Sequence, residues 1–306
     1  MGYGSKIVAV STSCTNPLIP AGTPTVGSYT SPDTDGISNA NATVTFIDGS
    51  NTKAVDVYET LRSAGMLVIM MYGSSDTVDG IYKNVEIVGK IMKGNSYEDL
   101  VSDLKNEVSI LSKATQNASS TRILVSTGLG TLATDGSGNF TNLSSFSGSG
   151  VYLAGVGSAI CSMTAEVGSM TTPVQGSGWT AADTDFISTS MSNVDVLLVL
   201  WTNKNSMPNE NAILDLIQKM KGTAWANCGA VTNGNIIFIG GDAGSDLSRV
   251  TPYTVHNGLP ILSLYINPEC YSATSGGSAL SISDLPSCVD NTNLSLLVGY
   301  TENKHV

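Results

Sequence analysis

Val194-Asp195-Val196-Leu197-Leu198-Val199-Leu200 is the stretch that decides the fold. It is a short, near-continuous apolar run opened by an acid. A run of this kind reads as a strand buried on both faces, the habit of parallel sheets. Working outward, Glu210–Met220 predicts an amphipathic helix with Ile213, Leu216, Ile217 and Met220 on one face. Ala230–Ile239 reads as two short strands around the Asn233-Gly234 turn. Gly258–Tyr265 reads as a closing helix. Upstream, Arg122–Ser126 is a second strand, a Gly/Ser-rich loop runs from Thr127 to Gly150, and Ser158–Val167 is helical.

The first half has the same grammar. Lys6–Ser11 and Thr43–Ile47 read as strands, Val55–Ala64 as a helix with Val55, Tyr58 and Leu61 on its stripe, and Met66–Met71 as another strand. Strand, helix, strand in that order implies a parallel sheet with crossover helices. Residues 79–116 differ, being helical throughout. Ile81, Val85, Val88 and Met92 form one stripe, Gly94-Asn95 interrupts it, and Tyr97, Leu100, Leu104, Val108 and Leu111 form the next. The expected organisation is an N-terminal lobe over 1–78, a connecting helical segment over 79–118, a C-terminal lobe over 119–270 and a tail over 271–306.

Composition narrows the function. The 306 residues include 14 basic and 25 acidic side chains, a net charge of −11, and only 13% are charged. An ordinary soluble domain carries about 25%. Polarity comes from 40 Ser and 31 Thr, and 41% of residues are hydrophobic. That excludes a disordered chain, and so few cations in an acidic chain exclude a phosphate-tracking surface for nucleic acid. No run of about 18 apolar residues occurs to span a bilayer. Hydroxyl-rich, charge-poor surfaces favour a protein outside the cytoplasm, at the cell surface or in a periplasm, tethered by an anchor or signal not in this sequence. No Gly-x-Ser-x-Gly elbow or phosphate-binding Gly-x-x-x-x-Gly-Lys loop is present, so a binding protein is expected rather than an enzyme. The five cysteines, at 14, 161, 228, 270 and 288, contain no Cys-x-x-Cys. Cys270 and Cys288 either close a loop in an oxidising compartment or stay unpaired. Asn-x-Ser/Thr sequons stand at Asn41, Asn117, Asn139, Asn142 and Asn293.

The organisation and the segment Val194–Glu269 resemble the substrate-binding proteins of ABC importers for cobalamin, haem and iron-siderophores. The matching pieces are Asp195–Leu200, Trp225, Ala230–Ile239 and the closing Asn267-Pro268-Glu269, with Lys6–Thr15 and Gly22 a weaker match. The resemblance implies an α/β fold of two parallel-sheet, Rossmann-like lobes bridged by a long helix, with a ligand cleft between them. It implies capture of a metal chelate (a corrinoid, a ferric siderophore or haem) by a monomer with no permanently bound cofactor, and delivery to an ABC permease. The family's docking Glu on the first lobe is replaced by Asn16 here, while Glu166 stands as the second-lobe counterpart. The alternative is an adhesin-like surface protein that kept this fold without transport.

Ligands of parallel sheets sit beyond the carboxyl ends of the strands. The strand-end loops place Tyr29, Tyr72, Trp179, Trp201, Asp242, Arg249 and Tyr253 as candidate ligand contacts. Flat aromatic faces with a hydrogen-bonding edge suit a macrocycle or aryl chelate. These rings otherwise pack the lobe edges. His256 either ligates the chelate's metal or makes a structural hydrogen bond. Two His in the chain are too few for a zinc or manganese carrier. With only Arg62, Arg122 and Arg249 as arginines, a strongly anionic catecholate is an awkward ligand, and a neutral or weakly charged chelate fits better.

Overall fold

The computed structural model describes residues 4–14, 19–73, 77–94, 96–168, 170–176, 178–201, 207–240, 244, 246–267 and 270, and the backbone of 296–299. The chain divides into two compact units, one of Met1–Gly73 with Tyr82–Val101, the other of Ser74–Ile81 with Ser102–Val306.

The first unit holds α1 (Thr34–Asn39), β1 (Thr45–Asp48), α2 (Ala54–Ser63) and β2 (Val68–Met71). β1 and β2 pair in parallel, Thr45 opposite Val68 through Asp48 opposite Met71. Ile37, Val57, Leu61 and Val68 form its core, with Val26, Ile47, Tyr58 and Met66 packed on them. The buried stripe of α2 is therefore Ala54, Val57 and Leu61, and Val55 turns outward at 57% exposure. The expected strand at Lys6–Ser11 is not one. Gly4–Lys6 is a 3-10 turn, and Val10 alone bridges to Thr25. The two helices expected over 79–116 are α3 (Val78–Met92) and α4 (Tyr97–Thr115). Between them Lys93 takes a left-handed φ of 54°, which stops α3.

The second unit is built on β3 (Thr121–Thr127), β4 (Tyr152–Ala154), β5 (Met170–Thr171), β6 (Trp179–Ala181), β7 (Val196–Leu200), β8 (Ile236–Ile239) and β9 (Leu296–Gly299). Strand order is β6-β4-β3-β7-β8-β9, with β5 paired to the start of β3. β3, β7 and β8 run parallel, while β4 and β9 are antiparallel additions. The helices are α5 (Ala159–Glu166), α6 (Thr184–Ser190), α7 (Glu210–Lys221), α8 (Gly229–Thr232) and α9 (Leu259–Ile266). Side-chain caps start three of them. Ser158, Asp183 and Asn209 accept from the amides of Cys161, Phe186 and Ala212. Every residue of β7 and β8 is buried, as their unalternating sequence requires. Leu197, Val199, Ile236 and Phe238 meet Ile213, Leu216, Ile217 and Met220 of α7 in the core.

The expected hairpin at 230–239 is instead a helix-to-strand turn. Ala230 and Val231 belong to α8, and Asn233 keeps a helical φ of −86°. Gly234 alone is left-handed, at φ 72°. The Asn235 amide donates to the Ala230 carbonyl (2.7 Å) and the Gly234 amide to the Val231 carbonyl (3.2 Å). These are the two bonds of a Schellman helix end. A two-residue hairpin of the favoured kind needs positive φ at both Asn and Gly, and here only Gly supplies it.

Two buried polar contacts fasten the loops to this frame. The Trp225 indole donates to the Gly148 carbonyl at 2.9 Å and ties down the end of the Gly/Ser-rich loop. The Val167 carbonyl accepts from Thr115 Oγ1 (2.9 Å) and Ser263 Oγ (3.0 Å), joining the carboxyl ends of α4 and α5 to the middle of α9. Trp225→Phe removes the donor and leaves a buried acceptor unmet, so we expect a loss of about 1–3 kcal/mol. Urea unfolding should show a lower midpoint with an unchanged slope; an unchanged midpoint would contradict the anchoring role.

Candidate ligand-binding site

In the first unit the carboxyl ends of β1 and β2 feed adjacent loops. The Asp48 carboxylate accepts from the Ser50 amide (2.8 Å) and hydroxyl (2.6 Å), shaping the turn after β1. Gly73, just past β2, lies so close that any side chain there would strike Ser50 and Asp48. Onto this turn comes Tyr29, its hydroxyl 3.3 Å from Ser50 Oγ and its carbonyl accepting from the Asn51 amide group. Tyr72 follows β2 directly. The Asn84 side chain on α3 bonds both its backbone N–H and its C=O at 2.9 Å, so the residue is held as a strand neighbour would hold it. The Lys83 ammonium stands 5.1 Å from the Tyr72 ring centre. Tyr29 and Tyr72 are both exposed, so the loop cluster presents two aromatic faces. Sequence reasoning named the tyrosines and missed Ser50, Lys83 and Asn84, because contacts from a helix to a strand end leave no local pattern.

In the second unit two predicted residues meet. Trp179, opening β6, and Arg249 line one shallow hollow with Ser248 and a floor of Ala159, Ile160, Met163 and Leu247. Ala159, Ile160 and Met163 come from the first turns of α5, and Leu247 from the segment that follows β8. Arg249 is exposed, and among the described residues its guanidinium has no carboxylate partner. The arrangement offers a flat ring, a cation and an apolar base within one depression.

Other expected contacts lie elsewhere. Trp201 is not a ligand platform. It is 4% exposed and packed edge-on between Phe140 and Phe238, with centroids 6.0 Å away in both cases. Its amide still bonds the Ile239 carbonyl, so it extends the ladder of β7. Two-residue periodicity then puts its side chain on the core face of Leu197 and Val199. Tyr253 is exposed at 44% and is not among the residues of the hollow. His256 Nδ1 sits 2.8 Å from Glu107 Oε1 on α4, the structural partnership that was the alternative to metal ligation. Among the described residues no three His, Cys, Asp or Glu side chains gather as a metal site. Asp242, Asn16 and Cys288 lie outside the described residues, and the Cys270–Cys288 pairing with them. Cys161 and Cys228 are buried, and burial pushes both thiols up, away from reactivity.

Residues 1–243 match the family described as periplasmic binding protein. The chain belongs to that family. No curated protein matches it. Among solved structures it is similar to the periplasmic haem-binding protein RhuT from Roseiflexus sp. RS-1, at 18% identity, TM-score 0.61, over 86% of this chain and 90% of that one. A periplasmic haem-binding protein from Pseudomonas aeruginosa shares 15% identity at TM-score 0.63, over 98% and 92%. The vitamin B12-binding protein BtuF of Vibrio cholerae shares 15% at TM-score 0.63, over 87% and 89%. At such identities the likeness is one of fold. It agrees with the α/β, parallel-rich architecture that the strand–helix alternation predicts. The family is one of binding proteins rather than enzymes.

Glu166 ends α5 on the surface of this periplasmic binding protein. Partial desolvation raises its carboxyl pKa, and the nearby Asp79 charge adds to the shift, although the side chain is exposed. At pH 7 the ionised group is thus less comfortable folded than unfolded, and the gap closes below the ordinary glutamate value of about 4.3. Glu166→Gln should raise Tm at pH 7 and leave it unchanged at pH 4. Equal shifts at both pH values would refute the electrostatic origin.

Proposed function

We propose that the chain is an extracytoplasmic solute-binding protein that captures a metal chelate, such as a corrinoid, a ferric siderophore or haem, for delivery to an ABC importer. Family membership supports the solute-binding role. The observation that supports the ligand class is the pairing of Trp179 with the exposed Arg249, which has no carboxylate partner among the described residues, at the rim of a small hollow that admits only a peripheral group of such a ligand. A tetrapyrrole or aryl chelate presents a flat apolar body with a few peripheral oxygens. The indole suits an edge of the body, and the guanidinium suits one carboxylate or amide oxygen. Tyr29, Tyr72 and Tyr253 are proposed as further contacts, and Glu166 as a docking acid for a permease.

A panel of haemin, cyanocobalamin and a ferric hydroxamate, followed by thermal shift and tryptophan fluorescence, tests this. Trp201 and Trp225 are buried and Trp179 is the more exposed indole, so quenching should vanish in Trp179→Phe. Trp179→Ala should weaken binding by about 10- to 100-fold. Arg249→Ala should cost haemin, which bears carboxylates, more than it costs cyanocobalamin. Silence across the whole panel would remove the chelate reading.

A further inference from the structure

Sequons are only sequence patterns until the fold shows which acceptor amides are presented. Four of the five, at Asn41, Asn117, Asn139 and Asn142, fall within the described residues. Their amides divide into two kinds.

Asn41 follows the C-cap of α1 with φ 52°, which turns it out of the helix. Asn117 lies in the turn after α4. Both are exposed, as are the hydroxyl residues of their sequons, Thr43 and Ser119. Neither amide side chain makes a hydrogen bond within the described residues. By contrast, Asn142 is half-buried. Its Oδ1 accepts from the Ala133 amide (3.0 Å) and its Nδ2 donates to the Thr131 carbonyl (2.7 Å). Asn139 is tied on both atoms. Nδ2 donates to Asp135 Oδ2 (3.3 Å) and Oδ1 accepts from Asn209 Nδ2 (2.9 Å). The Asp135 carboxylate also holds the Ser137 and Asn139 backbone amides (2.8 and 2.9 Å). Substituting the Asn142 or Asn139 nitrogen would force a bulky sugar into a loop closed by its own hydrogen bonds.

We propose that Asn41 and Asn117 are acceptor sites for N-linked glycan and that Asn139 and Asn142 are not. The co-reactant is a lipid-linked oligosaccharide and its transferase. The amide Nδ2 attacks the anomeric carbon, the bond from that carbon to the phosphate oxygen breaks, the lipid phosphate leaves, and one amide proton passes to a base of the transferase. Topology supports the same division. Asn41 lies just ahead of β1 and Asn117 just ahead of β3, at the amino ends of parallel strands. Asn139 and Asn142 lie in the loop beyond the carboxyl end of β3, the end at which ligands of such sheets sit. Glycans at the first pair leave the strand-end loops of each unit uncovered. The claim stands apart from the identity of any ligand.

The full chain, secreted from an N-glycosylating yeast and trimmed with endoglycosidase H, should carry a single residual N-acetylhexosamine on each of Asn41 and Asn117 by peptide mapping. Asn41→Gln and Asn117→Gln should each remove one such mass. The bacterially produced, folded full chain, treated with a purified single-subunit oligosaccharyltransferase and a lipid-linked sugar, gives the same readout independently of secretion. An unmodified Asn41 or Asn117, or sugar on Asn139 or Asn142, overturns the proposal.

Discussion

Everything in the larger unit depends on the closure of β7. This five-residue strand has β3 on one edge and β8 on the other, both parallel, and all its side chains are buried. No water reaches it, so every backbone donor and acceptor must find a partner in the neighbouring strands. That fixes the register, because a slip would break both ladders at once. Only apolar side chains can fill its faces. The frame so formed delivers the chain, strand by strand, to loops at one end. Trp201, the residue that continues the β7 ladder, is the last part of the core.

This constraint explains what could be read from sequence. Val194–Leu200 announced itself because burial on both faces demands an unbroken apolar run. The stripes of α3, α4 and α7 were legible for the corresponding reason, since one buried face imposes a 3.6-residue period. β4, β5 and β6 were not, each being two or three residues long and held by pairing rather than by pattern. β9 fell in a segment without periodicity, and its place beside β8 comes from ladder bonds alone. The Asn233-Gly234 pair misled because Gly at positive φ serves a hairpin and a helix end equally. What separates the two is the helical φ of Asn233, which α8 sets and the dipeptide does not.

The candidate site was legible in part. Strand-end position named Tyr29 and Tyr72, which stand at the loops after β1 and β2, whereas Trp179, which meets Arg249, opens β6 and lies at that strand's amino end. The same rule placed Trp201 wrongly. Loop position says where the backbone lies, whereas the parity of the preceding strand says where the side chain points. Counting two and four residues on from Leu197 puts Trp201 on the face that Leu197 and Val199 turn to the α7 core. Asn84 was invisible for a different reason. Its double bond to the Tyr72 backbone copies a missing strand with a side chain, and no spacing rule connects a helix residue to a strand end.

Charge sets the last restriction. Of the three arginines, Arg62 lies over the Tyr58 ring at 5.6 Å and donates to its hydroxyl. Arg122 precedes the core of β3, with its amide bonded to Asp195. Arg249 is the arginine of the hollow, in a chain whose net charge is −11. Two like charges about 4 Å apart near a protein surface repel by roughly 4 kcal/mol. One guanidinium can answer one anionic group at the hollow it shares with Trp179. The same reasoning makes the aromatic and apolar surfaces the main source of affinity, with Arg249 fixing the orientation of whatever oxygen the ligand presents.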